Sequence, residues 1–159
     1  MEAGRRHALK TGGGATLAAL LAAAGWLPAG GALAQAGGWN KAAFDAKTLD
    51  EAVKALGGGA ATPSGAITFV STPDIAENGA VVPVGVASTI PNTRSIAILI
   101  EKNPNLLAAS FDIPPGTEAS VSTRVKMGQS SMVYALVNAD GKFHIASKEV
   151  KVTLGGCGG

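Results

Sequence analysis

The single cysteine of this 159-residue chain is surrounded by glycines, in the run Gly155-Gly156-Cys157-Gly158-Gly159. A cysteine thiol is a nucleophile and can carry a group covalently. Glycine has no side chain and accepts almost any backbone conformation, so we expect residues 155–159 to form a narrow, flexible arm. At about 3.3–3.6 Å per extended residue, the thiol can reach roughly 10 Å beyond Leu154. The pattern predicts an arm that offers its sulfur atom to a narrow cleft in another protein.

No neighbouring group in the sequence activates this thiol. A free thiol has a pKa of about 8.5, and no histidine or lysine adjoins Cys157 to lower it. His144 lies inside a predicted strand, where we expect an ordinary polar residue. The carboxylates near turns and strand ends lack the spacing of metal ligands: Asp74, Glu77, Asp112 and Glu118. The sequence therefore predicts no catalytic residue, metal or other cofactor in this chain, but a carried thiol that partner enzymes activate.

Residues 1–36 have the composition of an export signal. Arg5 and Arg6 precede an uncharged run of alanine, leucine and glycine over residues 11–27, which is too short and too rich in glycine to suit a membrane span. Small residues around Ala34 and Ala36 suit signal cleavage after either of them. We therefore leave residues 1–36 out of the predicted fold.

The paired arginines resemble the twin-arginine signal of bacteria, which exports proteins that are already folded. Gly4 and Ala8 depart from its usual pattern, so a general secretory signal is the alternative. Both routes lead out of the cytoplasm, and we expect the protein in the periplasm. A companion subunit bound before export would explain the use of a folded-export route.

The net charge of +2 arises in this leader, where Arg5, Arg6 and Lys10 face one carboxylate, Glu2. The rest of the chain carries basic and acidic residues in equal number. A chain without positive excess lacks the attraction that binds nucleic acid or an anionic membrane surface, so we predict neither partner. Apolar residues make up 47% of the chain and aromatic residues 4%, which indicates an aliphatic core.

Residues 37–62 are predicted to form a short helical segment. Residues 39–44 suit one helical turn, and Thr48 with Glu51 forms a capping box that begins the next helix. Three glycines after Leu56 end that helix. Its apolar residues recur with helical spacing: Leu49, Ala52, Val53 and Leu56.

Residues 63–154 are predicted to form an antiparallel β-sandwich of the immunoglobulin type with about seven strands, so the fold class is all-β. A barrel is the alternative. Short stretches with strand character are separated by Gly, Pro and Asn turns: residues 67–71, 80–87, 95–100, 106–111, 119–127, 132–137 and 143–154.

Three strand features carry more specific expectations. Pro83 cannot donate to a ladder, which favours an edge strand or a bulge. In the last strand the apolar positions change register between Ile145 and Val150, which predicts a bulge near Lys148. Residues 132–137 are apolar on both faces, which indicates either a central strand under the helix or a surface closed by another protein.

The run VKVTLGGCGG over residues 150–159 closely resembles the end of SoxY proteins, the substrate-carrier subunits of the bacterial thiosulfate-oxidising Sox system. The resemblance continues upstream in STRVKMG, residues 122–128, and ADGK, residues 139–142. The leader and the region around Trp39 fit as well. The resemblance thus covers most of the chain.

The resemblance implies that Cys157 holds thiosulfate as a cysteine S-thiosulfonate, formed by a haem c enzyme. It also implies that a dimanganese hydrolase then releases sulfate and leaves a persulfide, and that some systems add a molybdenum–haem dehydrogenase. A SoxZ companion subunit, and a carrier without metal or haem of its own, are implied in the same way.

Two other functions fit parts of the sequence. Gly158-Gly159 would permit a ubiquitin-like sulfur carrier, although that chemistry needs ATP-dependent activation inside the cell. A secreted structural sandwich could instead use Cys157 for an intermolecular disulfide. The first would place sulfur on a terminal carboxylate, and the second would leave the thiol without a cargo.

Overall fold

The computed structural model of the chain describes residues 40–154, which form two short helices and nine strands. The helices are α1 (Lys41–Asp45) and α2 (Leu49–Ala55). The strands are β1 (Ala61–Pro63), β2 (Ile67–Phe69), β3 (Ile75–Asn78), β4 (Val82–Ser88), β5 (Thr93–Ile100), β6 (Leu107–Asp112), β7 (Ser120–Val125), β8 (Ser131–Ala139) and β9 (Lys142–Leu154).

The strands form two sheets. The larger has the order β1-β9-β8-β5-β6, with β3 paired to the last residues of β9, and the smaller has the order β2-β4-β7. Aliphatic side chains of β4 and β7 pack against those of β5 and β8 to form the core between the sheets. The predicted β-sandwich is confirmed, and the barrel is not what these residues form. Its assignment to the immunoglobulin type stays a prediction.

The two helices cover the outer face of the larger sheet. Thr48 Oγ1 accepts from the Glu51 N–H at 3.3 Å, and the Glu51 carboxylate accepts from the Thr48 N–H at 3.2 Å, so the predicted capping box is confirmed. Val53 packs in a second core with Leu99 and Leu136. Within residues 40–154, no helix is long and apolar enough to cross a bilayer.

Strand β8 is therefore buried on both faces by the protein itself. Val133 and Val137 belong to the core between the sheets, whereas Leu136 belongs to the core under the helices. Of the two alternatives for this strand, the central position under a helix is the correct one.

The bulge predicted near Lys148 is wrong. β8 and β9 pair without interruption from Ser131 opposite Val150 to Ala139 opposite Lys142. The apolar register changes because the covered face changes along β9. Its first half places Phe143 in the core under the helices, and its second half places Val150 in the core between the sheets.

The bulge predicted from Pro83 is wrong, because β4 pairs with β7 without a register shift. The predicted edge is local, because β4 is the middle strand of the smaller sheet but has no partner on the β2 side at Pro83. Strand β2 pairs with residues 86–88 alone. Gly85 turns its N–H and C=O toward the β2 side, where they bond to Thr72 and Val70. The backbone of Pro83, two residues earlier, faces the same side as that of Gly85, but β2 does not extend that far. The missing N–H of Pro83 therefore costs no ladder bond.

Candidate functional site

The residues predicted from sequence to do the chemistry lie outside residues 40–154. They are Cys157 with Gly155, Gly156, Gly158 and Gly159, and the signal arginines Arg5 and Arg6. What the structure gives is the place from which the glycine–cysteine segment departs, at Leu154, where β9 ends. We call the surface formed by Glu77–Val81, Ser130 and Thr153 the root surface.

Strand β9 is held on one side up to its last residue and on the other side as far as Val152. On one side β3 runs parallel to it, with Ala76 opposite Val152 and Asn78 opposite Leu154. On the other side the Val152 N–H donates to Ser130 Oγ at 2.9 Å. The backbone is therefore fixed as far as Leu154, and the distance that Cys157 can travel is counted from there.

A side chain adds a further tie at the same place. Thr153 Oγ1 donates to the Glu77 carbonyl oxygen at 3.0 Å, and the Lys151 N–H donates to the Asp74 carbonyl oxygen at 2.9 Å. These bonds join β3 to β9 on either side of the Ala76–Val152 pair. The last residues before the glycines are thus part of the sheet.

The turn that follows β3 is held by three hydrogen bonds. Asn78 Oδ1 accepts from the Ala80 N–H at 2.8 Å, and the Asn78 carbonyl oxygen accepts from the Val81 N–H at 3.3 Å. The Gly79 carbonyl oxygen accepts from the N–H of Met127, a fully buried residue, at 2.7 Å. This fixed turn presents Val81 to solvent, with 52% of its surface exposed.

Charges of both signs surround the root surface. Glu77 and Lys151 are exposed beside β3, and Lys126 is exposed at the end of β7. The Lys102 N–H donates to Ser131 Oγ at 3.0 Å, which places another exposed lysine at this end of the sandwich. Two further exposed carboxylates, Asp74 and Glu101, lie next to Lys151 and Lys102 and balance the lysines. The root surface therefore has no field of one sign that would attract a strongly charged partner.

Of the other polar residues weighed in the sequence analysis, Glu77 is part of the root surface, and the rest are not brought to it. His144 lies near the start of β9, opposite Val137, and ten positions along one strand separate it from Leu154. Asp74 pairs with Lys148 at 3.1 Å beside the middle of β9. Across residues 40–154, no three His, Cys, Asp or Glu side chains come together as a metal site would require.

Two groups with clearly shifted pKa values lie on the helix-covered side. Backbone N–H groups of Lys47 and Thr48 donate to the Glu51 carboxylate and hold its pKa below the usual range. Burial raises the pKa of Tyr134, and the neighbouring Glu101 carboxylate raises it further. Neither group is part of the root surface.

Sequence reasoning found Cys157 but missed what holds its root. Strand β3 has four residues, Ile75–Asn78, of which only Ala76 is buried, so it has no clear apolar alternation. Ser130 acts through one side-chain oxygen on a strand 22 residues further along the chain. The Asn78-Gly79 pair, which is typical of a turn, was the one signal in this stretch of sequence.

Comparison with known families gives a match to the family described as sulfur oxidation protein SoxY, over residues 53–157. This match extends beyond Leu154 to include Cys157. Comparison with curated protein sequences gives no significant match.

Two solved structures illustrate the structural likeness. The sulfur carrier protein SoxY from Chlorobium limicola f thiosulfatophilum is 41% identical, with a TM-score of 0.58, over 67% of this chain and 96% of that one. The superoxide reductase (neelaredoxin) from Ignicoccus hospitalis is 21% identical, with a TM-score of 0.48, over 54% of this chain and 79% of that one. The second likeness is too weak to support an inference about function.

Proposed function

Because the chain belongs to the SoxY family of sulfur oxidation proteins, we propose that it carries intermediates of thiosulfate oxidation covalently on Cys157 and presents them to successive enzymes in the periplasm. One observation carries this proposal. The family match extends to Cys157, the single cysteine of the chain, and the solved relative with 41% identity is a sulfur carrier. The chain acts as a substrate carrier and leaves catalysis to its partners.

The first step joins the carrier to its cargo. The Cys157 thiol loses its proton, its sulfur bonds to the outer sulfur of thiosulfate, and two electrons pass to a haem c enzyme. The product is a cysteine S-thiosulfonate, which keeps one negative charge. No group of the carrier needs to accept electrons, because the haem c enzyme is the oxidant.

The second step releases sulfate. Water attacks the sulfonate sulfur, the bond to the middle sulfur breaks, and the water oxygen leaves within sulfate. One proton of the water stays on the persulfide at Cys157 and the other is released. A dimanganese hydrolase is the partner for this step, and a molybdenum–haem dehydrogenase can oxidise the remaining outer sulfur in systems that contain it.

The fixed root suits this role physically. A cargo tethered three residues from Leu154 stays close to the active site of any docked enzyme, so its effective concentration there is high. The intermediates also remain bound between steps. The glycines on both sides of Cys157 add no side chain that an active site would have to admit.

A SoxZ-like companion subunit completes the proposal, as a heterodimer with this chain. Export of an assembled pair accounts for the arginine pair at Arg5 and Arg6 in a leader of the twin-arginine type. The family membership supports this pairing, since SoxY subunits work within the Sox system.

Intact mass measurement tests the proposal. Incubated with thiosulfate and the haem c enzyme, the protein is expected to gain one thiosulfate unit that a reducing thiol removes, and Cys157→Ser is expected to gain nothing. Sulfur found on a terminal carboxylate would support the ubiquitin-like alternative. Full thiosulfate oxidation with Cys157→Ser would support the structural role and contradict the carrier.

A further inference from the structure

The reach of the thiol limits how far an enzyme can stay from the folded part of this chain. Cys157 lies three positions after Leu154, the last residue paired with β3. At about 3.3–3.6 Å per residue, the Cys157 Cα lies at most roughly 11 Å from that of Leu154. An enzyme that acts on the sulfur must therefore bring its active-site opening to the root surface. This step rests on the proposed function.

The root surface carries an apolar side chain that the fold does not use. Val81 is 52% exposed, whereas the next residue, Val82, is fully buried between the sheets. Ala80 beside it is exposed as well. Burial of such a side chain against a partner is favourable, and on a fixed backbone no loop has to be ordered for it.

The position of Val81 relative to the tether is set by two successive backbone contacts. The Val81 N–H donates to the Asn78 carbonyl oxygen at 3.3 Å, and Asn78 lies directly opposite Leu154. An enzyme opening placed at the root therefore lies next to this turn. Because the surrounding charges are mixed, the apolar contact is the distinctive feature of the surface.

We propose that the Asn78–Val81 turn docks on the rim of the active-site opening of each enzyme that acts on Cys157, and that this rim is apolar where it meets Val81. The same turn serves the haem c enzyme and the hydrolase, since both must reach one sulfur on one short tether. The turn thus sets the approach, and the tether supplies the cargo.

Substitution of Val81 tests this docking surface. With Val81→Asp, kcat/KM of the haem c enzyme and of the hydrolase for the carrier is expected to fall at least tenfold, mainly through KM. Ala80→Asp, on the same turn, is expected to act in the same direction. Val81→Ile keeps the apolar contact, and its kcat/KM is expected to stay within about twofold of the wild-type value.

Val70→Asp is the matched control, because Val70 is a valine with 58% exposure. The Val70 N–H donates to the Gly85 carbonyl oxygen. Gly85 is four positions after Val81, so Val70 lies about 13 Å from Val81 along the strand direction. Val70→Asp is expected to change kcat/KM less than twofold. Alkylation of Cys157 by iodoacetamide should proceed equally in all variants, which shows that the thiol itself is unaffected.

The outcomes separate this proposal from the one on which it rests. If the wild-type protein gains thiosulfate on Cys157 but Val81→Asp and Val70→Asp behave alike, the docking surface is wrong and the carrier function stands. If the wild-type protein gains no mass, both proposals fall. A loss confined to one of the two enzymes overturns the shared surface.

Discussion

Thr153 Oγ1 donates a hydrogen bond to the carbonyl oxygen of Glu77 across the parallel pair of β3 and β9, at 3.0 Å. Parallel pairs need long connections, and these two residues are 76 positions apart in the chain. The contact joins an early segment to the last strand immediately before the glycines. The sheet thereby fixes the point from which the tether of the proposed carrier begins.

The bond between the Val152 N–H and Ser130 Oγ fixes the other side of that point. With Ser130→Ala, this N–H loses its partner, which we expect to cost about 1 kcal/mol locally. Hydrogen exchange of the Val152 amide should then be roughly fivefold faster, as that free energy implies. Ser110→Ala, at an exposed position on β6, is the control and should leave the exchange unchanged. An unchanged Val152 amide in Ser130→Ala would show that the root is held by β3 alone.

A side chain next to the thiol should interfere with every enzyme that receives the tether. With Gly156→Val, we expect kcat/KM to fall at least about tenfold, or ~1.4 kcal/mol, with the haem c enzyme and the hydrolase alike. The melting temperature should not change, because position 156 follows the last strand. Gly59→Val is the control, since a Cβ there has open space around it and the position lies outside the proposed tether. Full rates with both enzymes would contradict the need for a bare tether.

Local patterns in the sequence predicted the elements whose causes are local. The hairpin between β8 and β9 turns at Asp140 and Gly141, both with positive φ, as the Asp-Gly pair predicts. Strand β7 alternates in burial as its sequence does, from exposed Ser120 to buried Val125. The capping box at Thr48 is equally local.

The features that the sequence did not reveal depend on distant partners. Strand β1 has three residues and pairs with the start of β9, where Ala61 lies opposite Phe143. Strand β3 pairs with the end of the same strand. Neither has enough alternation to be recognised alone. The face of β9 that is covered changes along its length, and this depends on helices and a sheet formed elsewhere in the chain.

The candidate site was predicted in part for the same reason. The role of Cys157 and its glycines is indicated by their residue types and spacing, which can be seen in the sequence itself. The role of the Ser130 and Thr153 side chains depends on one hydrogen bond each, with partners at least 22 positions away in the chain. The exposure of Val81 likewise depends on the tertiary structure.

Close packing beneath the helices can be tested at Gly58. A Cβ at this position would lie 2.5 Å from Phe143 Cδ2 and 2.8 Å from Val53 Cγ1, well inside contact distance. Gly58→Ala is therefore expected to lower the free energy of unfolding by about 1–3 kcal/mol. Gly59→Ala is the matched control with open space, and it should change the value by less than about 0.5 kcal/mol. Equal urea midpoints for the two variants would contradict the close approach.

The single tyrosine of the chain reports on the same side of the larger sheet at high pH. Burial disfavours the phenolate of Tyr134, and the nearby Glu101 carboxylate adds to the effect, so its pKa lies above the ordinary value of about 10. A raised pKa in the folded state means that the contribution of Tyr134 to stability is complete below pH 10 and is lost as the pH rises through the folded-state pKa.

Phenolate absorbance measures this shift directly, with no overlap from a second tyrosine. The folded protein should titrate at higher pH than the same protein unfolded in urea. Glu101→Gln should move the midpoint part of the way back, because burial, the larger cause, remains. A folded midpoint equal to the unfolded one would show that Tyr134 is open to water, and that α2 does not cover this face as closely as its contacts indicate.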